Sequence, residues 1–214
     1  MRVSLQLRQG NCFIDVAFQN EDSGITALFG PSGAGKSSII NMVAGLKKPD
    51  RGSVFIRGRC LFDSERGINL PPEKRNVGYV FQEALLFPHL SIKSNLLYGR
   101  RRGRPGQEGV DFDRVVSLLD INHLLSRKPK TLSGGEKQRI AFGRAVLSNP
   151  DVLLMDEPLA SLDEARKTEM LPFIKNLSTQ FSIPILYVSH FWEEIQALTD
   201  NIIKLAHGKI VTGP

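Results

Sequence analysis

Cysteine is scarce: of 214 residues only Cys12 and Cys60 carry a thiol, and nothing about their spacing resembles metal ligation. That excludes a disulfide-stapled scaffold or a zinc finger and fits two free thiols in a reducing cytoplasm. No apolar run approaches the roughly 18 residues needed to cross a bilayer; the longest, VLLM and IPILYV, are strand-sized. The opening MRVSLQLRQGN lacks the apolar stretch and cleavage site of a secretion signal. His89, His123, His190 and His207 are scattered, which argues against a histidine metal site. Internal repeats and low-complexity tracts are absent too. The length suits one substantial core, or a core with a modest second lobe.

Charge leans positive, with a net +6 and its densest run in RRRGR, Arg100 to Arg104. Such a run can contact nucleic acid or anionic lipid. Here Gly103, Pro105, Gly106 and Gly109 surround it and no aromatic residues interleave as stacking platforms, so a solvated loop is expected and no nucleic-acid partner.

The order of elements predicts an α/β fold with a largely parallel sheet. ITALFG reads as a strand running into a glycine loop, and KSSIINMVAG as a helix with Ile39, Ile40 and Val43 on one face, closing at Gly45. VFIRG and VGYVFQ are short strands joined by the polar, proline-broken ERGINLPPEKR. From about Glu83 to Pro129 strand signals thin out, and Leu96, Leu97, Val115, Val116, Leu118 and Leu119 fit helices. This predicts a helical lobe, 83–129, inserted into a sheet domain formed by 1–82 and 130–214. VLLMD and PILYVSH are apolar enough for strands covered on both faces. NIIKLAHGKIVTG is expected to form a closing hairpin at a sheet edge. A helix between Asp163 and Phe181 contains Pro172, which should kink or split it.

Two loops carry the chemistry. Gly30-Pro31-Ser32-Gly33-Ala34-Gly35-Lys36-Ser37 fits G-x-x-x-x-G-K-[ST], with a strand before and a helix after. Gly33 and Gly35 let successive N–H groups face inward around phosphate oxygens, and the helix adds its unpaired N-terminal donors. Lys36 suits the β- and γ-phosphates, and the Ser37 hydroxyl suits Mg²⁺. VLLMDEP sets Asp156 and Glu157 at the end of a strand, where ligands of open α/β sheets bind. Asp156 suits Mg²⁺, and Glu157 suits a general base for an attacking water.

The second loop, LSGGEKQR, lacks G-K-[ST]. Ser133 and Glu136 form a capping box for EKQRIAFGRAVLSNP, with Asn149-Pro150 as its stop. Gly134 and Gly135 each cost about 1 kcal/mol of helix propensity relative to alanine, which makes sense if a terminal phosphate must approach the backbone. A head-to-tail pair of chains would let Ser133, Gly134 and Gly135 of each copy close on the nucleotide held by the other.

Taken together these residues resemble the ATP-binding-cassette family: the first loop, VGYVFQ with Gln82, LSGGEKQR, VLLMDEP, SLD ending in Asp163, and YVSH with His190 occur in that family's order. The resemblance implies a P-loop NTPase ABC ATPase fold, with a mostly parallel sheet core, an N-terminal antiparallel β part and an inserted α-helical subdomain. It implies ATP and Mg²⁺ as ligands. Gln82 is similar to the glutamine that touches Mg²⁺ and senses a transmembrane partner, Asp163 to the aspartate that meets the opposite subunit, and His190 to the histidine at the γ-phosphate. The stretches GINLPPEKRNVGYVFQEALLFPHLSIKSNLLYG and DEPLASLD look like the molybdate-importer branch, parts of which are shared with sulfate, iron and sugar importers. The implied partners are a second copy, transmembrane permease subunits and, indirectly, an external binding protein; the implied place is the cytoplasmic face of a membrane. Leu85, Leu86 and Phe87 are readable as an exposed docking surface for a partner helix or, nearly as well, as packing within the helical lobe.

Two departures stand out. Phe13 is the nearest candidate for an aromatic that stacks on adenine, but GNCFIDV matches the family pattern poorly, and Phe13 is equally readable as core. The C-terminal β-rich domain common in molybdate-importer ATPases has no counterpart before the closing KIVTGP. A soluble cassette protein acting on nucleic acid through the arginine run is the rival reading. A guanine-nucleotide switch is disfavoured by the lack of N-K-x-D.

Overall fold

Alternation at the N-terminus makes a hairpin: β1 (Arg2–Gln9) turns Val3, Leu5 and Leu7 inward and β2 (Cys12–Gln19) does so with Ile14 and Val16. The two pair antiparallel from Arg2↔Gln19 to Gln9↔Cys12. The computed structural model describes residues 1–10, 12–20, 23–100 and 109–211. Arg101 to Arg104, most of the arginine run, lie outside the described residues. From β1 the antiparallel part continues through β4 (Arg51–Ile56), β5 (Arg59–Asp63) and the two-residue β6 (Ile68–Asn69). The parallel part consists of β3 (Ile25–Phe29), β7 (Val77–Val80), β8 (Val152–Asp156), β9 (Ile185–Ser189) and β10 (Ile202–Ala206). β3, β8 and β9 are buried along almost their whole length, as strands covered on both faces must be.

With the two-residue β11 (Lys209–Ile210), both parts form one sheet among the described residues, in the order β6-β5-β4-β1-β2-β11-β10-β3-β9-β8-β7. The closing hairpin of β10 and β11 is therefore not at an edge: β10 pairs parallel with β3 and β11 with β2, so it forms the seam between the two parts. Lys204 places a charge within β10. Its ammonium lies 5.5 Å from the Trp192 ring centre, so aromatic cover lets a charged strand sit inside the sheet.

Six helices complete the described chain: α1 (Lys36–Ala44), α2 (Ile92–Leu97), α3 (Phe112–Leu118), α4 (Gly134–Leu147), α5 (Glu164–Phe181) and α6 (Trp192–Leu198). No helix among them is long and apolar enough to cross a membrane, and Cys12 and Cys60 are free. Ile92, Leu96, Val115 and Val116 of α2 and α3 join one cluster with Ile140 and Phe142 of α4, Met155 of β8 and Tyr187 of β9, so the helical segment shares the core of the sheet. Pro172 does not split α5, which runs unbroken over 18 residues. Met170, Ile174 and Leu177 bury one face, while Pro172 is exposed where water can take the carbonyl it leaves unpaired.

One buried cation fixes α1 to the sheet. Arg75 is fully buried and donates to Leu70 O at 2.7 Å, Met42 O at 2.8 Å, Val43 O at 3.0 Å and Asn69 Oδ1 at 2.8 Å. It thus satisfies carbonyls at the C-terminal end of α1, where a positive charge is favoured. Gly45 caps the helix at φ 82, and a Cβ there would drive into the Arg75 guanidinium. Arg75→Met removes the donor from Val43 O and Leu70 O, while Met42 O keeps the Gly45 N–H and Asn69 is open to water, and is expected to cost about 3 kcal/mol. Urea unfolding monitored by Trp192 fluorescence measures it; a loss below about 1 kcal/mol contradicts this reading.

Candidate functional site

The parallel strands end in line. Phe29 is level with Ser189, Asp156 with Val188, and Val80 with Met155. The loops that leave these ends carry Gly30, His190, Glu157 and Gln82, so residues remote in sequence converge beyond the carboxyl edge of the sheet.

The loop from Gly30 to Gly35 turns through left-handed backbone at Gly33 (φ 80) and Gly35 (φ 100). A Cβ at Gly33 would meet nothing within 4 Å, so conformation rather than crowding calls for glycine there. The loop is pinned from behind, where Gly208 N–H donates to Ala34 O at 3.2 Å. α1 starts without a side-chain cap and without an acidic residue in its first turn. Its first N–H groups are thus left to an anion.

Lys36 is 4% exposed, and its ammonium donates to Gly30 O at 2.7 Å and Pro31 O at 3.0 Å while standing 3.7 Å from Glu157 Oε1. Burial pulls its pKa down, against the opposing charges of Glu157 and Asp156. Ser37 Oγ–H donates to Asp156 Oδ1 at 3.0 Å. Burial raises the Asp156 pKa, and the hydrogen bonds from Ser37 and Tyr79 oppose the rise. Tyr79 Oη–H lies 3.3 Å from Asp156 Oδ2 and 2.9 Å from Asn41 Oδ1. Burial and the Asp156 charge push the phenol far above its ordinary range, so it stays a donor.

Glu157 adopts φ 46, a left-handed conformation that costs a non-glycine residue about 1–3 kcal/mol. Its N–H donates to Val188 O at 2.9 Å, which holds it there. The carboxylate reaches Lys36 on one side and His190 Nδ1 on the other, the latter at 3.0 Å but not aligned as a hydrogen bond. Lys36, Ser37, Asp156, Glu157 and His190 are thereby brought into one group. Gln82 is exposed immediately beyond β7, at the same end of the sheet.

The second loop stands apart. Ser133 Oγ accepts from Glu136 N–H at 3.3 Å, and Ser133 N–H donates to Glu136 Oε2 at 2.7 Å, completing the capping box. The bond from the Ser133 backbone holds the Glu136 pKa low. A Cβ at Gly134 would meet Leu162 at 3.3 Å, but one at Gly135 would meet nothing, so nothing in the chain itself calls for glycine there. Ser133 and Gly135 line a cavity of about 370 Å³ with Asp120, His123, Arg139 and Arg166. Asp163 caps α5, accepting from Arg166 N–H at 3.0 Å, and is exposed. Among the described residues no hydrogen bond or ion pair joins Ser133, Gly134, Gly135 or Asp163 to the Gly30–Ser37 loop.

Two expectations are decided by the structure. Phe13 is 40% exposed, with the Arg8 guanidinium 5.9 Å from its ring centre, so it is not core. Its neighbour Ile14 packs under Gly35, and alternation along β2 turns the Phe13 ring to the opposite face. Of Leu85, Leu86 and Phe87 only Leu85 is exposed, at 53%; Phe87 packs against Tyr98 at 4.3 Å with the Arg144 guanidinium over its ring. Sequence reasoning also missed Tyr79 as a partner of Asp156, and Asn41 as the second acceptor at the Tyr79 hydroxyl. The period-two pattern of VGYVFQ sets Tyr79 opposite in face to Gly78 and Val80, but gives no hint of what its hydroxyl meets.

Residues 13–160 match the family model described as ABC transporter. The chain is 54% identical, over 99% of its length, to the Molybdenum import ATP-binding protein ModC of Paramagnetospirillum magneticum, and 54% identical over 97% to that of Rhodospirillum rubrum. It spans 58% and 56% of those two relatives' lengths. Among solved structures it superposes with TM-score 0.76 and 25% identity on the ATP-binding cassette MJ0796, dimeric in a post-hydrolysis state with ADP and Pi, covering 98% of this chain and 95% of that one. For cbiO1 of Clostridium perfringens, part of an ABC transporter complex, the TM-score is 0.82 at 23% identity, covering 99% and 86%, a likeness of fold.

Proposed function

The chain belongs to the ABC transporter family, and from that premise we propose that it is the ATP-hydrolysing subunit of an importer for molybdate or tungstate. The observation that carries the ATPase reading is the division of phosphate-seeking groups into two sets within one chain. Lys36, Ser37, Asp156, Glu157 and His190 form one group with a base, a cation and an uncapped helix end. Ser133, Gly134 and Gly135 form another, with open space before Gly135. Two copies arranged head to tail complete two sites, each from the first loop of one and the second loop of the other. The dimeric state of the MJ0796 cassette supports this arrangement.

Within each site Lys36 takes the β- and γ-phosphates, Glu157 accepts a proton from the attacking water, and His190 steadies the terminal phosphate from the other side. Mg²⁺ would be held by oxygen donors on Ser37 and Asp156, with Gln82 at the same end of the sheet, and would neutralise phosphate charge. Asp163 meets the opposite copy. Because ATP bridges two closed copies, its binding energy drives closure, and separation after hydrolysis is passed to transmembrane permease subunits. The chain then works at the cytoplasmic face of the membrane, and an external binding protein acts on it only through the permease. The cargo rests on the name of the relatives, which share 54% identity with this chain.

Turnover per chain tests the two-copy site without any variant. It should rise with chain concentration and reach a plateau as dimers form under saturating MgATP. A rate per chain that is flat across a hundredfold dilution, with light scattering reporting monomers throughout, points to a site complete in one copy.

A further inference from the structure

Two opposite charges outside the site so far described are each only 4% exposed: Lys167 on α5 and Glu194 on α6. A buried ion pair is a weak source of stability, because desolvating both charges offsets most of their attraction. What it does well is hold groups in one geometry, and the partners of this pair show which groups.

Glu194 Oε2 accepts from Tyr187 Oη–H at 2.8 Å and from Ser189 Oγ–H at 2.9 Å. Ser189 Oγ in turn accepts from Phe191 N–H at 3.0 Å. The residues on both sides of His190 are therefore tied to one carboxylate. Glu194 Oε1 has no hydrogen-bond partner among the described residues and faces Lys167 Nζ at 3.4 Å. That ammonium donates to Glu164 Oε1 at 2.9 Å and lies 3.4 Å from the Phe191 ring centre. Lys167 N–H donates to Asp163 O at 2.9 Å, within the first turn of α5. One carboxylate thus joins α6, the end of β9 carrying His190, and the turn that starts at Asp163.

We infer that Glu194 is a positioning residue that locks the His190 turn to the Asp163 end of α5, so that contact of a second copy at Asp163 and the setting of His190 against Glu157 are one mechanical event. This rests on the reading of the chain as a dimeric ATPase. The ring of Phe191 and the Lys167 ammonium form the bearing between the two turns, and Ser189 is the link that reaches the His190 backbone.

The test uses the full chain and MgATP, with turnover measured alongside the affinity for a fluorescent ATP analogue. Ser189→Ala and Tyr187→Phe each remove one hydroxyl from the same Glu194 oxygen, but only Ser189 also holds the Phe191 N–H. Ser189→Ala and Glu194→Gln should lower kcat about tenfold or more with KM within about twofold, while Tyr187→Phe stays within about twofold in kcat. Combining Lys167→Met with Glu194→Gln should lower kcat no further than Glu194→Gln alone, because the two act as one link. Equal kcat for Ser189→Ala and Tyr187→Phe, or losses that follow melting temperature alone, would overturn the inference; Ser189→Ala keeps the test open should Glu194→Gln not fold. Absence of turnover in the unaltered chain would instead overturn the ATPase reading on which it stands.

Discussion

Glu157→Gln is expected to bind MgATP, remain dimeric and hydrolyse roughly 10²–10⁴ times more slowly, the range set by loss of a general base. The substitution keeps the shape of the side chain and the strained φ 46 backbone, which the Val188 carbonyl holds from the next strand. It removes the negative charge beside Lys36 and His190. Nucleotide affinity should hold or improve, because the terminal phosphate no longer faces a carboxylate between those two groups. Light scattering with and without MgATP reads the outcome. A variant that stays monomeric with saturating nucleotide, or that turns over at the unaltered rate, contradicts the assignment of Glu157.

Lys36→Met should abolish useful nucleotide binding, weakening affinity on the order of 10²–10⁴-fold, since about 1.5–3 kcal/mol attaches to each charged hydrogen bond lost to phosphate. Its effect on the fold should be small. Lys36 lies in a desolvated position that already pulls its pKa down, and its ammonium is held by the carbonyls of Gly30 and Pro31. Pro31 O keeps a donor without it, the Ala34 N–H at 3.1 Å. An apolar side chain of similar length should therefore leave the melting temperature within a few degrees. Titration with a fluorescent nucleotide, followed by thermal unfolding of the same sample, separates the two effects. Loss of binding accompanied by unfolding would mean that Lys36 serves the fold rather than the phosphate.

What was legible in the sequence was what neighbouring residues decide among themselves. The Gly30–Ser37 loop, the Ser133–Glu136 capping box, the Gly45 cap and the buried run of β8 each need only a few consecutive side chains, and the structure carries all of them. What was not legible depends on partners far along the chain. Tyr79 meets Asp156 across 77 positions, and Arg75 reaches Met42 across 33. β6 is a strand of two residues inside a proline-broken connection, made only by its pairing with β5. The hairpin read as an edge closes instead as a seam, because β10 pairs with β3 and β11 with β2, partners more than 170 positions away, and Trp192 of α6 lies over Lys204. Phe87 stayed open between surface and packing because one of the groups that cover it, Arg144, comes from α4, beyond the helical segment, and the other, Tyr98, from beyond α2. The Glu194 network escaped notice for the same reason: its members are ordinary residues until β9, α5 and α6 meet.

Nucleotide gripped by two polypeptides at once is the claim on which the rest depends, and mixing two inactive variants measures it. Ser133→Arg blocks the second loop and Lys36→Met disables the first. In a mixed pair one site carries both lesions and the other carries neither. Random pairing makes half the dimers mixed, so ATPase activity should return to about one quarter of the unaltered value. Activity that stays at the sum of the two inactive samples, with mixed dimers verified by mass, would contradict the account.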